Sequence, residues 1–414
     1  MDTARADALS ARSRISAGLW IPRNAESFRH LPPPPAEVWM GDSPQPGCDA
    51  SPLAGAGWTL HPVGHSPQGR VDARWLDATD PQQRTELFAG LPVVGDDDAA
   101  PFSWAHRAVC RQGLRLRIGG APGNGAARGS GETVWLQLRH QPRSEVEAPL
   151  LVLDLLPGVN CVLIESHERE TNRCQRAIVQ NLHLHLRLGQ GSSLRHLRIA
   201  TPSPTDSVAH HVHARLDSGA TYHQGLVASG CEYHLQRSVI DLQGAQASST
   251  TSGVLFAAGS TLEQQVHTTQ GAQRSSSRVD TLALASGSAR IVVNAHCRID
   301  PGADDAEVRQ RLTGIPTDGQ PKVVLRPHLE IHHDRVQAAH GVTWGALPEE
   351  ALFYAAQRGL DEREARALII EGMASASLAR CLETPDLMQA LGIDRLLAST
   401  VARHLAGPTE GCHG

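Results

Sequence analysis

The stretch NLHLHLRL, residues 181–188, decides the fold class, because its polar and apolar residues alternate without interruption. Successive side chains of a β-strand point to opposite faces, so the four leucines share one face. His183, His185 and Arg187 share the other face, which we expect to be exposed polar surface. A histidine ladder on such a face is also a candidate metal site, since imidazole binds zinc and iron. A similar strand contains His210, His211 and His213.

The same alternation recurs in short segments from residue 133 to residue 315, with no helical period between them. A small turn returns once per two or three strands, and its glycines lie 28, 25, 27 and 31 residues apart. A drifting repeat of this length is typical of a solenoid in which each coil stacks on the last. A sandwich or barrel also has short, evenly spaced strands but does not explain the returning turn. The turn glycines are Gly191, Gly219, Gly244, Gly271 and Gly302.

We therefore predict a mainly β protein with a right-handed parallel β-helix core and helical segments at both ends. Residues 1–57 are expected to form an N-terminal helix and a proline-rich connector, and residues 58–345 the core, irregular at 58–132. Residues 346–407 would be a C-terminal helical domain, and 408–414 a loose tail. The glycine-rich stretch 121–132 indicates a flexible loop rather than a phosphate loop, because no Gly-Lys-Ser/Thr follows it.

Three helices are predicted after residue 344. Pro348 suits a first helical position, and Gly359 supplies a stop for the first helix. Asp361 and Glu364 have the spacing of a capping box at the start of the second helix. Thr384, followed by proline, opens the third helix.

Composition excludes several function classes. The 414 residues carry a net charge of −5, which gives no basic stripe for nucleic acid. The N-terminus lacks the apolar region of a secretory signal, and no run approaches the roughly 18 apolar residues of a membrane span. The eight cysteines are scattered without a CxxC pair. We expect them to be reduced, buried thiols in a cytoplasmic protein.

His340 is the candidate ligand that the sequence singles out, at the seam between the last strand and the first helix. A His-Gly pair in a turn is usually structural, although neutral imidazole is a good ligand for iron or zinc. Cys297 follows His296 directly, and adjacent strand residues face opposite ways, so the two are not expected to bind one metal. Trp344 and the Phe353–Tyr354 pair are expected to anchor the first helix against the solenoid.

A β-helix carbohydrate-active enzyme, a lyase or hydrolase, is the alternative from another function class. Such an enzyme needs clustered carboxylates, and Asp300, Asp304, Asp305 and Glu307 surround one turn glycine. Acidic residues are common at turns for conformational reasons alone. No Gly-x-Ser-x-Gly nucleophile elbow is present. A β-helix interaction module without metal chemistry is the third possibility.

The C-terminal third resembles the SufB/SufD family of iron–sulfur cluster assembly proteins. That family has a Pro-x-Leu-Glu-Ile strand, a His-Gly-x-Thr turn, a Glu-Glu-x-Leu-Phe-Tyr helix and an Arg-Gly-Leu stop. The His-Gly form resembles the SufD branch, since SufB tends to have His-Glu. The specific match extends over residues 290–380. Its elements are Pro327–Ile331, His340–Thr343, Glu349–Tyr354 and Arg358–Leu360.

The resemblance implies a non-catalytic scaffold with a β-helix core between helical domains. Its partners would be a SufB-like β-helix subunit and a SufC-like ABC-type ATPase, with neither nucleic acid nor membrane. A transient iron–sulfur cluster would form at the interface with SufB, and the matching His340 is the candidate iron ligand. A flavin has been associated with such complexes, but no dinucleotide motif is present here.

One departure from the family concerns the residue two positions before this histidine. Many members of the SufD branch have a cysteine there, whereas this chain has Ala338. Iron ligation from this turn would therefore rest on His340, with sulfur ligands supplied by the SufB-like subunit. The ATPase-docking helix is predicted to present Glu349, Glu350, Leu352, Phe353, Tyr354, Gln357 and Arg358.

Overall fold

The computed structural model describes residues 3–18, 20–41, 55, 57–63, 70–119, 133–168, 177–382 and 392–406. These ranges contain seven helices and nineteen strands. The helices are α1 (Thr3–Ser16), α2 (Ala36–Met40), α3 (Pro81–Phe88), α4 (Ala100–Val109), α5 (Glu349–Gln357), α6 (Glu362–Leu382) and α7 (Ile393–Ala406). In the described part of the chain, no helix is both long and apolar enough to span a bilayer.

The strands follow one another from β1 to β19 in chain order. The first nine are β1 (Trp58–Pro62), β2 (Val71–Asp77), β3 (Gln112–Ile118), β4 (Val134–His140), β5 (Val146–Glu147), β6 (Leu150–Leu155), β7 (Asn160–Glu168), β8 (Val179–Leu188) and β9 (Ser193–Thr201). The others are β10 (Ser207–Leu216), β11 (Thr221–Ser229), β12 (Tyr233–Leu242), β13 (Ser248–Ala258), β14 (Thr261–Gln270), β15 (Ser276–Gly287), β16 (Arg290–Ile299), β17 (Ala306–Gly319), β18 (Lys322–Ile331) and β19 (Val336–Trp344).

Two parallel sheets face each other across a common core. Sheet A has the order β1-β4-β7-β9-β11-β13-β15-β17-β19, and sheet B has the order β18-β16-β14-β12-β10-β8-β6-β3-β2. From β6 onward the chain alternates between the sheets, so each strand pairs with the strand two positions along. Val179, Ser207 and Tyr233 occupy the same place in successive coils, at intervals of 28 and 26 residues. The prediction of a parallel β-helix is confirmed, with about 7 coils.

The space between the sheets is filled by stacked aliphatic side chains. Leu153, Leu186, Ala214 and Ile240 lie in register on four neighbouring strands of sheet B, and all are buried. The alternating leucines of residues 181–188 therefore point into the core, as their periodicity predicted. Burial of such side chains removes apolar surface from water at roughly 25 cal/mol per Å², which makes this stack the main source of stability.

A row of turns runs along the corner where the chain leaves sheet B for sheet A. In each turn one residue with positive φ donates its backbone N–H to the turn of the next coil, at 2.7–2.9 Å. Of the turn glycines counted from the sequence, Gly191 and Gly219 occupy this position. In the three later coils a residue other than glycine occupies it. The row consists of Gly158, Gly191, Gly219, Gln246, Arg274 and Asp305.

Helices cover the outer faces of both sheets. On sheet A, α6 and α7 bury Leu378 and Val401 against strand residues such as Val227. On sheet B, α2 and α4 bury Trp39 and Phe102 against residues such as Leu235. The strands of the solenoid are therefore apolar on both faces over much of their length, as in other parallel sheets.

The segment 58–132, where the core was predicted to be irregular, contains the helices α3 and α4 between its strands. Asp80 caps α3 by accepting a hydrogen bond from the backbone N–H of Gln83 at 2.8 Å, and Pro81 takes the first helical position. This Asp-Pro signal was present in the sequence. The predicted loop at 121–132 and the tail at 408–414 lie outside the described residues.

The C-terminal helix boundaries largely agree with the sequence. Gly359 has a φ of +86° and ends α5, while Pro348 is the residue before the helix rather than its first residue. Asp361 and Glu364 exchange the two hydrogen bonds of a capping box, at 2.8 and 3.0 Å, which confirms that prediction. The start proposed for the third helix at Thr384 lies outside the described residues.

The turn row provides a matched test of coil stacking. A Cβ at Gly244 would lie 1.9 Å from the backbone nitrogen of Ser218 in the previous coil, whereas a Cβ at Gly271 would meet nothing closer than 3.8 Å. We expect Gly244→Ala to lower the free energy of unfolding by about 1–3 kcal/mol through overpacking. Gly271→Ala, in the equivalent turn one coil later, should change it by less than about 1 kcal/mol. Denaturant titration of both variants checks this, and equal destabilisation would contradict it.

Candidate functional site

The solenoid ends differently at its two extremities. At the N-terminal end, β1 and β2 pair antiparallel with β4 and β3 and so close the stack. At the other end, β18 and β19 are the last strands of their sheets, and within the described ranges nothing pairs with their outer edges. We call these two strands the open end. Unpaired N–H and C=O groups on such edges can pair with a strand of another chain.

The open end also exposes apolar side chains. Ile331, Val342 and Trp344 are 44%, 49% and 55% exposed, whereas the corresponding side chains of inner coils are buried. Val342 lies in register with Leu312, which belongs to the solenoid core. A further coil stacked here would bury these groups. The geometry of the open end therefore suits another β-helix better than a small ligand.

His340 lies within the open end and not in a turn, so its predicted position was wrong. It sits in the middle of β19 and pairs in register with Gln310 of β17. Neighbours in parallel, in-register strands point the same way, and Gln310 is buried inside the coil. The imidazole of His340 is therefore on the core side of the last coil, exposed because no described residue covers it. Among the described residues it has no hydrogen-bond partner.

Ala338 shares the face of His340, because the two residues are two positions apart on one strand. A cysteine at this position would have placed a thiol beside the imidazole. With alanine there, His340 is the one histidine, cysteine or carboxylate side chain of β19. Whatever else binds a metal at this place must come from another strand or another chain.

The aromatic residues expected to anchor α5 do not do so. Trp344, Phe353 and Tyr354 are exposed, the last two by 66% and 56%, so this prediction was wrong. Leu347 and Ala355 are the buried contacts instead. The guanidinium of Arg358 lies 3.6 Å from the ring centroid of Tyr354, which holds both side chains at the surface.

The helix α5 thus presents a mixed apolar and charged surface. Four of its predicted polar docking residues are exposed, and Leu352 is half-buried against the C-terminal helical layer. Leu368 of α6 adds a further exposed apolar side chain, at 58%. An exposed aromatic surface rimmed by charges is typical of a protein-binding site. The four polar residues are Glu349, Glu350, Gln357 and Arg358.

Polar contacts fix the helical layer to sheet A. Arg380 of α6 forms an ion pair with Asp280 of β15, and Arg366 donates to the carbonyl of Thr317 at 3.1 Å. The imidazole Nε2 of His404 in α7 lies 2.8 Å from the hydroxyl of Thr317. Burial lowers the pKa of His404 to about 4. The helical layer that packs against α5 is therefore bonded directly to the last coils.

The acidic residues of the turn at Gly302 are paired with cations. Asp300 lies 2.8 Å from Arg298, Asp304 lies 2.7 Å from His333, and Asp305 lies 3.0 Å from Arg335. His333 and Arg335 come from the next turn of the row. The contacts of Asp304 and Asp305 link neighbouring coils, which gives these acidic residues a structural role.

Sequence reasoning missed a charged network inside the solenoid. Glu165 is fully buried and accepts hydrogen bonds from His167, from His196 at 2.8 Å and from Arg198 at 3.4 Å. Burial alone raises the pKa of Glu165, but the Arg198 guanidinium and the imidazoles outweigh it and hold this pKa well below its usual value. The signal was present, because these polar residues occupy inward positions of otherwise apolar strands.

The outward histidines of β8 and β10 are less exposed than the sequence suggested, because His183 is buried and His185 is half-buried. Helix α4 covers this part of sheet B, and His183 and His211 are buried. Cys297 faces the core while His296 faces outward, as the strand alternation predicted. Burial raises the pKa of the Cys297 thiol to about 11, so it is an unreactive thiol. The described cysteines are buried and form no disulfide with one another; they are Cys110, Cys161, Cys231, Cys297 and Cys381.

Comparison with known proteins identifies relatives of the solenoid. Residues 140–373 match the family model described as "SUF system FeS cluster assembly, SufBD core domain". The iron–sulfur cluster assembly protein SufD of Escherichia coli (strain K12) is 35% identical over 86 residues, which cover 18% of this chain and 20% of that protein. An iron–sulfur cluster assembly SufBD family protein of Mycobacterium leprae (strain TN) is 24% identical over 160 residues, 38% of this chain and 18% of that protein. The chain thus spans about a fifth of the length of these curated relatives.

The buried His404 gives the helical layer a defined pH dependence. The pKa of His404 is about 4 in the folded protein and 6.5 in the unfolded chain, so protonation favours the unfolded chain. The stabilising contribution is complete above pH 6.5 and is lost as the pH falls towards 4, by about 3 kcal/mol at most. We expect His404→Gln, which keeps a hydrogen-bonding group near Thr317, to flatten the dependence of the free energy of unfolding on pH in this window.

Denaturant titrations between pH 6.5 and pH 4 measure the effect. The exposed His61 supplies the control, because His61→Gln should leave the slope of the parent protein unchanged. Equal slopes for His404→Gln and the parent would contradict the assignment.

Proposed function

The chain belongs to the SufBD family of SUF-system iron–sulfur cluster assembly proteins, and we propose that it is a SufD-like scaffold subunit of that system. In this proposal it has no catalytic cycle of its own. It holds a SufB-like β-helix subunit at one surface and a SufC-like ATPase at another. The open end is the observation that carries the proposal, because it combines unpaired strand edges with uncovered core residues.

Edge pairing with a second β-helix supports the SufB-like partner. A strand added to β18 or β19 would use the same main-chain hydrogen bonds that join the inner coils. It would also remove Ile331, Val342 and Trp344 from water, which favours association through apolar burial. The closed N-terminal end offers neither feature, since β1 and β2 already cover it.

The surface of α5 supports the ATPase partner. Phe353 and Tyr354 are exposed beside Glu349, Glu350 and Arg358, so an apolar contact would be surrounded by charges that set orientation. Exposed aromatic residues are the side chains that most often dominate binding energy in protein interfaces. Only residues 345–348 separate α5 from β19, so a movement of α5 driven by nucleotide would reach the open end directly.

The substrate of the assembly would be a nascent iron–sulfur cluster at the interface of the two β-helices. His340 is the group of this chain that fits iron, because its imidazole is exposed and unpartnered among the described residues of the open end. Neutral imidazole is a suitable ligand for iron, and thiolates would come from the partner, since Ala338 supplies none. We place the assembly in the cytoplasm, where thiols such as the five described cysteines stay reduced.

Substitution of one apolar residue by aspartate on each surface should distinguish the two partner surfaces. We expect Val342→Asp to lower recovery of the β-helix partner at least tenfold, a change of about 1.4 kcal/mol, while the ATPase is retained. Phe353→Asp should have the opposite effect, because its side chain lies on α5 and not on an edge strand. The measurement is quantitative affinity purification of the tagged chain, co-expressed with both partners without oxygen.

Val93→Asp is the control for these variants, since Val93 is 88% exposed and lies far from both surfaces in the sequence. It should recover both partners at the parental level. Recovery of both partners by Val342→Asp and Phe353→Asp would contradict the proposed surfaces. Recovery of neither partner by the parent chain would contradict the subunit assignment itself.

His340→Ala tests the role in cluster assembly. The side chain is exposed and within the described residues unpartnered, so its removal should leave folding and partner recovery unchanged. We expect iron and sulfide retained by the complex to fall at least about tenfold, since loss of even an outer-shell partner has effects of this size. Chemical analysis of iron and sulfide in the purified complex measures it, with His61→Ala as the control. Full cluster yield from His340→Ala would contradict the metal role.

A further inference from the structure

A compact group of histidines lies on the outer face of sheet B, away from the open end. His183 pairs in register with His211, and His185 pairs in register with His213, on the neighbouring strands β8 and β10. Each pair is separated from the other by one residue along the strand, so all four imidazoles share one face. His106 of α4 approaches from above, with its ring centroid 4.3 Å from that of His183.

The parallel register brings these rings into mutual contact. The ring centroids of His185 and His213 are 4.8 Å apart with an interplanar angle of 11°, and those of His183 and His211 are 4.6 Å apart at 21°. One ring nitrogen from each of His183, His185 and His213 lies within 4.8 Å of the other two. Three nitrogen donors at this separation surround a space the size of a metal ion.

Hydrogen bonds among the described residues leave some ring nitrogens of the group without a partner. The Nε2 atoms of His183 and His211 are buried and have no hydrogen-bond partner among the described residues. A buried polar atom without a hydrogen-bond partner destabilises the fold by about 1–3 kcal/mol. A metal ion that binds such an atom recovers part of this free energy. His185 and His213 are partly exposed, which leaves a path from solvent to the three nitrogens.

The protonation state also suits metal binding. Burial, followed by the proximity of other histidines and arginines, lowers the pKa of His183 and His185 well below the usual value. Burial and Arg237 lower the pKa of His213 to about 4. The neutral imidazole is the form that binds metals.

The positive charges around the group are partly compensated by carboxylates. Arg237 lies 2.8 Å from Asp97, whereas Arg107 shares Asp7 with Arg84 and Arg187 shares Asp154 with Arg115. Repulsion of a bound cation is therefore reduced most for Arg237.

We propose that His183, His185 and His213 form a binding site for a divalent late transition-metal ion of the zinc class. The three imidazoles supply three ligands, and solvent reaches the fourth position past His185 and His213. Zinc–nitrogen distances of about 2.0–2.1 Å require nitrogens roughly 3.4 Å apart, so the rings close inward by side-chain rotation while the strands stay fixed. The site is distinct from His340, which lies on the opposite sheet in the last coil.

Zinc binding to the full chain tests the proposal. The protein is stripped with chelator, equilibrated with zinc and analysed for metal, in a His340→Ala background that removes the other candidate ligand. We expect about one zinc per chain by the ligand count of a three-histidine site. His213→Phe, which keeps an aromatic ring in the stack but removes the ligand, should lower the zinc content at least about fivefold, or roughly 1 kcal/mol of binding free energy. Cobalt in place of zinc should give the visible absorption of a four-coordinate ion, and His213→Phe should abolish it.

His185→Gln provides a second variant at a partly exposed position, should His213→Phe not fold by circular dichroism. His61→Gln, at an exposed histidine on β1, is the control and should leave the zinc content unchanged. Zinc should also raise the melting temperature of the parent but not of His185→Gln. Absence of stoichiometric zinc in the parent would overturn the proposal, as would equal zinc content in the folded His213→Phe or His185→Gln variant.

Discussion

Parallel, in-register pairing between successive coils is the interaction on which the rest of the structure depends. Each strand residue lies directly above its counterpart in the previous coil, so side chains of one kind accumulate in columns. Leucine and isoleucine fill the inward columns, and histidine pairs fill part of an outward column on sheet B. The same register sets the corner turns above one another and allows one backbone hydrogen bond to pass from each turn to the next.

A stack built in this way has no intrinsic length, so the means of ending it determines what the molecule can bind. Antiparallel strands end the stack at the N-terminal side, whereas β18 and β19 leave their hydrogen-bonding edges and part of the core uncovered. His340 and the surface of α5 owe their positions to this asymmetry. The strand that carries His340 is the last of sheet A, and the helix begins within five residues of its end.

The sequence predicted the solenoid well because period-2 alternation and a returning turn are local properties. It predicted the capping box of α6 for the same reason. It could not show which strand faces are covered, because this depends on segments distant in sequence. His183 was therefore expected to be exposed, although α4 covers it, and Phe353 was expected to be buried, although no described segment packs over it. The His-Gly pair at 340–341 suggested a turn, but pairing with β17 keeps the backbone extended there.

The row of positive-φ residues makes the backbone of the later coils more strained than that of the earlier coils. Glycine occupies the row at residues 158, 191 and 219, where the left-handed conformation is free of strain, but the later coils have Gln246, Arg274 and Asp305 there. Each of these side chains costs about 1 kcal/mol or more in that conformation. The last coil also has only one stacking neighbour. We therefore expect opening fluctuations to begin at the end that bears His340, where the edges of β18 and β19 are unpaired within the described residues. Unpaired edges of this kind can pair with a wrong strand. In the proposed assembly, a β-helix partner stacked on this end would give the last coil a second neighbour.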